Sequence, residues 1–199
     1  MAEKNNEQGT LNTEQGDALV KAARETIAHR LGRPVAGPDP AILRDEALRD
    51  KRGAFVTLHL AGELRGCIGS LTGYEPLLNN VRHNAENAAF NDHRFPPLTL
   101  AELDQVDIEV SVLSEPRPLD YQDSRDLLAK LRPGIDGVII RHGAASATFL
   151  PQVWDQLPQP DSFLAHLCRK AGLAMDAWQH DKLQVSTYQV QYFAESVGL

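Results

Sequence analysis

Residues 53–68 read GAFVTLHLAGELRGCI. The first half, Gly53–Leu60, is rich in branched and aromatic side chains, which suit a pleated, half-buried strand. Ala61 and Gly62 form a tight-turn pair, and Glu63–Ile68 returns as the partner strand. The pairing is therefore antiparallel and local. Strict alternation along the returning strand puts Arg65 and Cys67 on one face, about 7 Å apart, and Leu64, Gly66 and Ile68 on the other.

Upstream, Leu19, Val20, Ala23, Ile27 and Leu31 recur at helical spacing after a cap at Thr13 or Asn12, and Gly32 can close the helix. A Pro/Gly-rich connection follows, then a short helix over Ala41–Leu48. Downstream, Pro76 opens a helix to about Asn91 with an apolar stripe at Leu77, Val81, Ala85, Ala88 and Ala89. Phe95-Pro96-Pro97 breaks the chain, and Thr99 and Glu102 have capping-box spacing for a short turn. Val106–Leu113 alternates as a half-buried strand. A short helix over Ser124–Leu131 precedes a second hairpin, Gly137–Arg141 with Ser146–Leu150. Phe163, Leu164, Leu167, Cys168 and Ala171 mark a helix capped by Asp161 or Ser162, and Leu183–Phe193 forms a late strand. Strands that arrive in hairpins with helices interspersed specify an α+β class, a mostly antiparallel sheet flanked by helices. Residues 1–12 offer little apolar surface and are expected to be a disordered tail; 13–199 are expected to form a single domain.

The 199 residues carry 42% hydrophobic and 24% charged side chains, ordinary values for a globular fold. A formal net charge of −7 and no basic block argue against nucleic acid or an anionic membrane as partners. Two cysteines far apart, with no CxxC pair, indicate a reducing compartment rather than a disulfide framework. The polar start MAEKNNEQGTLN has no apolar h-region, and no apolar run is long enough to span a membrane, so the expected location is cytoplasmic.

Cys67 is the residue that calls for chemistry. A guanidinium two residues away favours a thiolate, and Gly66 and Gly69 leave backbone bare for a ligand or another segment to approach. The alternative is a small buried thiol in a glycine-made bulge. Cys168, on the apolar face of a helix, reads as core. Asp92 and Arg94 follow the second helix directly. They read either as a carboxylate and guanidinium that grip an anionic substrate group, or as an ion pair that fixes the Phe95-Pro96-Pro97 turn. Asn80, His83, Asn84, Asn87 and Asn91 form one polar stripe, either solvated or lining a polar site. Glu109 points away from Ile108 and Val110 and becomes a general base or cation partner if its face meets the site. The histidines show no metal-ligand spacing, and neither a Walker loop nor GxGxxG or GxSxG occurs. No cofactor and no metal are expected.

LRGCIG (Leu64–Gly69) resembles the signature of the AMMECR domain family. FVTL before it agrees, as do AAFNDHRFPPL (Ala88–Leu98), IEVSVLSEP (Ile108–Pro116), DGVIIRHGAASATFLPQVW (Asp136–Trp154), FLAHLCRKAGL (Phe163–Leu173) and YQVQYFAE (Tyr188–Glu195), in order. The resemblance runs from about Leu19 almost to the last residues. It implies two unequal lobes with the signature beside a cleft between them. It also implies association with a Memo-like protein and a radical S-adenosylmethionine protein, as in the AmmeMemoRadiSam system, and it brings no established reaction. This chain lacks CxxxCxxC, so radical chemistry would belong to the partner. Two functions stay open. In the first, an enzyme component takes a small-molecule or modified substrate, with Cys67 and Arg65 catalytic and Gly66, Gly69, Asp92, Arg94 and Glu109 binding. In the second, the chain is a binding or adaptor module in which Cys67 is structural.

Overall fold

A computed structural model describes residues 10–195. The chain divides into two compact units. The first runs to Ser114 and resumes at Gln191; the second is Glu115–Val190.

The first unit is a helix layer on a sheet. Helix α1 (Thr13–Arg30) starts at Asn12, whose side chain accepts from the Gln15 N–H while Gln15 reaches back to the Asn12 N–H. That reciprocal box satisfies two otherwise orphaned donors. Leu11, inside the expected tail, is buried, and its N–H donates to Gln191. The Gln191 side chain also donates to the Leu11 carbonyl, at 3.0 Å. The rest of the expected tail, residues 1–9, lies outside the described residues. In place of a helix over 41–48 there are two 3-10 turns, Ile42–Arg44 and Glu46–Leu48; Asp45 between them is extended and caps the second.

Strands β1 (Ala54–Leu60) and β2 (Glu63–Ser70) form the first hairpin. Ala61 and Gly62 both take positive φ, 53° and 83°, as a two-residue turn with the twist of the strands requires. Helix α2 (Leu77–Phe90) and strand β3 (Val106–Leu113) follow. With β8 (Val190–Ala194) they complete a sheet ordered β2-β1-β3-β8. The core lies between this sheet and the helices, with Val56, Leu58, Ile108 and Val110 packed together with Leu19, Ile27, Val81 and Ala85. Asn80 and Asn84 of the polar stripe belong to that interface. Both are buried, and they donate to the carbonyls of Arg52 and Ala54. Their amides satisfy backbone acceptors that apolar side chains would strand.

The second unit holds β4 (Arg117–Pro118), α3 (Ser124–Lys130), β5 (Gly137–His142), β6 (Ala145–Phe149), α4 (Pro160–Lys170), α5 (Ala177–His180) and β7 (Gln184–Tyr188). Its sheet runs β4-β7-β5-β6, and Phe163 stacks on Trp154 at 3.7 Å in its core. Helix α4 begins earlier than the expected Asp161 or Ser162 cap, because Pro160 occupies the first turn, where its missing N–H costs nothing. The late strand expected over 183–193 is two strands, β7 and β8, in different sheets. Among the described residues no helix is long and apolar enough to cross a membrane.

Candidate functional site

The strand β2 is an outer strand, and its register sets the site. Leu60 pairs with Glu63 and His59 with Leu64, but Leu58 pairs with Gly66. Arg65 is thus an extra residue, a β-bulge. Beyond it Thr57 stands opposite Cys67, and on the other side Thr57 stands opposite Glu109 of β3. Residues directly opposite one another share a face. Cys67, Thr57 and Glu109 therefore form one row across three strands, on the face turned away from α1 and α2. All three are half-buried. The Thr57 hydroxyl donates to Sγ of Cys67 at 3.4 Å, and Ser111 Oγ donates to Glu109 at 3.4 Å.

Asp92 and Arg94 act on the backbone of the same cysteine. The Cys67 N–H donates to Asp92 Oδ2 at 2.9 Å, and Arg94 Nη2 donates to the Cys67 carbonyl at 3.2 Å. Three further bonds join the pair: Arg94 Nε to Oδ1 at 2.9 Å, Nη2 to Oδ2 at 2.6 Å and the Arg94 N–H to Oδ1 at 3.2 Å. The ion pair stands where another strand would pair and satisfies both outward groups of Cys67, which also blunts the sheet edge. The Arg94 guanidinium, with the Cys67 and Arg94 N–H groups, holds the buried Asp92 carboxyl far below the usual carboxylate range against its desolvation. Arg94 is pushed up in turn, first by its bonds to Asp92, against its own desolvation, and then by the negative charge of Asp92. Its side chain stays 47% exposed.

The bulge corrects the expectation that Arg65 is the cation beside the thiol. An extra residue resets the alternation, and Arg65 is buried in a two-bond pair with Glu102, Nε–Oε1 2.8 Å and Nη2–Oε2 3.3 Å. Arg65 first, and then the Thr99 N–H and hydroxyl, lower the Glu102 carboxyl to about 2. Nη1 of Arg65 is buried without a hydrogen-bond partner among the described residues. The cation set against Cys67 is Arg94. Phe95 lies under both guanidiniums, 5.9 Å from Arg65 and 5.5 Å from Arg94.

The two glycines are approached by the chain itself. A Cβ on Gly66 would stand 2.2 Å from the Ala88 carbonyl of α2, and one on Gly69 would stand 2.3 Å from the Phe55 ring. Among the described residues no group of three or more His, Cys, Asp or Glu side chains is placed to hold a metal.

The AMMECR1 family model matches residues 20–193. The chain belongs to the AMMECR1 family. A relative from Thermofilum pendens is 41% identical over 94% of this chain and 93% of its own length. Another, from Methanothermobacter thermautotrophicus, is 38% identical over 93% and 96%. The crystal structure of an uncharacterized protein from Pyrococcus horikoshii superposes with a TM-score of 0.75 at 34% identity, covering 94% of each chain.

In this AMMECR1 chain, the stretch Leu64–Gly69 is unevenly buried. Arg65 and Gly66 are buried, Leu64 is exposed, and Cys67, Ile68 and Gly69 are half-buried. All the candidate residues sit in the first unit. His93, between Asp92 and Arg94, is exposed. Sequence reasoning missed Thr57 and Phe95, and assigned Glu102 only a capping role. Counting back from the turn would have placed Val56, not Thr57, opposite Cys67, so only recognition of the bulge could have found the threonine.

Proposed function

We propose that this AMMECR1 chain is an enzyme component with a ligand site around Leu64–Gly69. Cys67 supplies the nucleophile or covalent anchor, and Arg94 holds an anionic group of a small or modified substrate. One observation carries the reading: a half-buried thiol, hydrogen-bonded by Thr57, lies on the face of the sheet turned away from α1 and α2, and a half-exposed guanidinium is anchored to its own peptide. Two free thiols fit a cytoplasmic setting. Iodoacetamide labelling of the folded protein, mapped by peptide mass, tests it. Cys67 is expected to react at neutral pH faster than free cysteine while the core residue Cys168 stays silent. Labelling of Cys67 only after unfolding would remove the thiol from the mechanism.

A second reading has its own support. Arg65, Gly66 and Asp92 are all engaged in internal contacts, so much of the signature serves the fold. That suits a module that docks to a Memo-like protein and a radical S-adenosylmethionine protein. Pull-down with co-encoded proteins tests it; failure to retain either would count against docking.

A further inference from the structure

We infer that Glu109 gives this site a cation-seeking end, so that the substrate carries an ammonium or other cationic nitrogen as well as its reacting part. The inference rests on the Cys67 reading above.

The row geometry comes first. Two steps of about 5 Å each, Cys67 to Thr57 and Thr57 to Glu109, put the carboxylate about 10 Å from the thiol on the same face. A ligand of a few bonds spans that distance, passing the Thr57 hydroxyl.

Charge pairing comes second. The other half-buried or buried carboxylates of the first unit that lie near this sheet have cations: Asp92 has Arg94, Glu102 has Arg65 and Glu195 has Arg24. Glu109 has none among the described residues. Its hydrogen bond there is the long one from Ser111. A carboxylate halfway out of water, flanked in sequence by the core residues Ile108 and Val110, is costly to leave without a counter-charge. Asp107, two residues back on the same face, is exposed and adds to the negative potential; His59 stands opposite Asp107. Arg94 lies on the far side of the thiol, beyond the outer strand. The site therefore has a negative end at Glu109, across the thiol from the internally neutralised Asp92–Arg94 pair, and it selects a ligand with a cationic group.

Thiol reagents with the same leaving group and different charge, compared as a ratio between variants, test this without the natural ligand. Cys67 is modified with 2-(trimethylammonium)ethyl methanethiosulfonate, which is cationic, and with neutral methyl methanethiosulfonate. In both, the cysteine sulfur forms the new S–S bond and methanesulfinate leaves. The cation-to-neutral rate ratio, which cancels any change in the thiolate fraction, is expected to fall about threefold or more in Glu109→Gln and to fall less in Asp107→Asn. In the unaltered protein, about 1 M salt should collapse the same ratio. An unchanged ratio in Glu109→Gln, with fast neutral labelling, overturns this inference and leaves the Cys67 reading standing. A ratio insensitive to salt overturns it too. If neither reagent modifies folded Cys67, both readings fail together.

Discussion

Thr57 stands opposite Cys67, one place further along than the turn at Ala61-Gly62 would set it. Without the bulge the partner of Cys67 would be Val56, whose side chain is fully buried against the helices. A slip of one residue exchanges the faces of a strand. The extra Arg65 therefore brings the thiol out of the core and leaves Gly66 facing α2.

Arg65 is held by charge, so removing it should be felt. Arg65→Met leaves Glu102 with an unpaired, mostly buried carboxylate, and urea unfolding should show a loss of about 3 kcal/mol. The double variant Arg65→Met, Glu102→Gln should recover a large part of it. Additive losses in the two single variants and the double would show that the pair is not coupled.

Acid should unfold the protein through the same carboxylates. Asp92 and Glu102 both have folded-state values below their unfolded ones. Their contribution is complete above the unfolded carboxylate range, about pH 4–5, and is lost as pH falls toward the folded values. For Glu102 that window runs from about 4.5 down to about 2. With about a quarter of its side chain in water, its share is on the order of 2 kcal/mol. Stability measured against pH should fall less steeply below pH 4.5 in Glu102→Gln than in the unaltered chain. Parallel curves would contradict the assignment.

Gly66 and Gly62 should respond differently to alanine. At Gly66 the new Cβ meets the Ala88 carbonyl, a backbone atom that cannot rotate away, and α2 must lift from β2. A loss of about 3 kcal/mol or failure to fold is expected. At Gly62 nothing lies within reach of a Cβ, and only the positive φ is strained, at about 1 kcal/mol. Thermal unfolding of the two variants side by side gives the comparison; equal losses would remove the close approach as the reason for Gly66.

Asn84→Leu should cost about 1–3 kcal/mol despite its apolar gain, because the Ala54 carbonyl loses its donor in a buried place and Asn80 loses its partner. A neutral or stabilising result in urea unfolding would mean that water replaces the amide.

Most of the elements were legible because their periodicities are local. Val106–Leu113 alternates without interruption, and the strand has those bounds. The misread elements depend on partners distant in sequence. The Asn80 and Asn84 amides look solvent-facing until the Arg52 and Ala54 carbonyls are placed beneath them. The residues 183–193 read as one strand because nothing local marks where the chain leaves one sheet for the other. At the site, Cys67, Asp92 and Arg94 were visible as residue types, but the contacts that join them were not. The separation of 37 positions between Arg65 and Glu102 hides that ion pair from any spacing argument.

The placement of β8 governs the order of assembly. It belongs to the first unit, yet it is synthesised only after the whole second unit. As the nascent chain emerges, β3 must wait with an open flank for on the order of ten seconds. Only then can Glu195 reach Arg24 and the backbone of Ile108. The second unit can close on its own segment meanwhile. The surface that the cell must shield from premature association is thus the unfinished sheet of the first unit, and the strand that seals it, β8, is made after β1–β7.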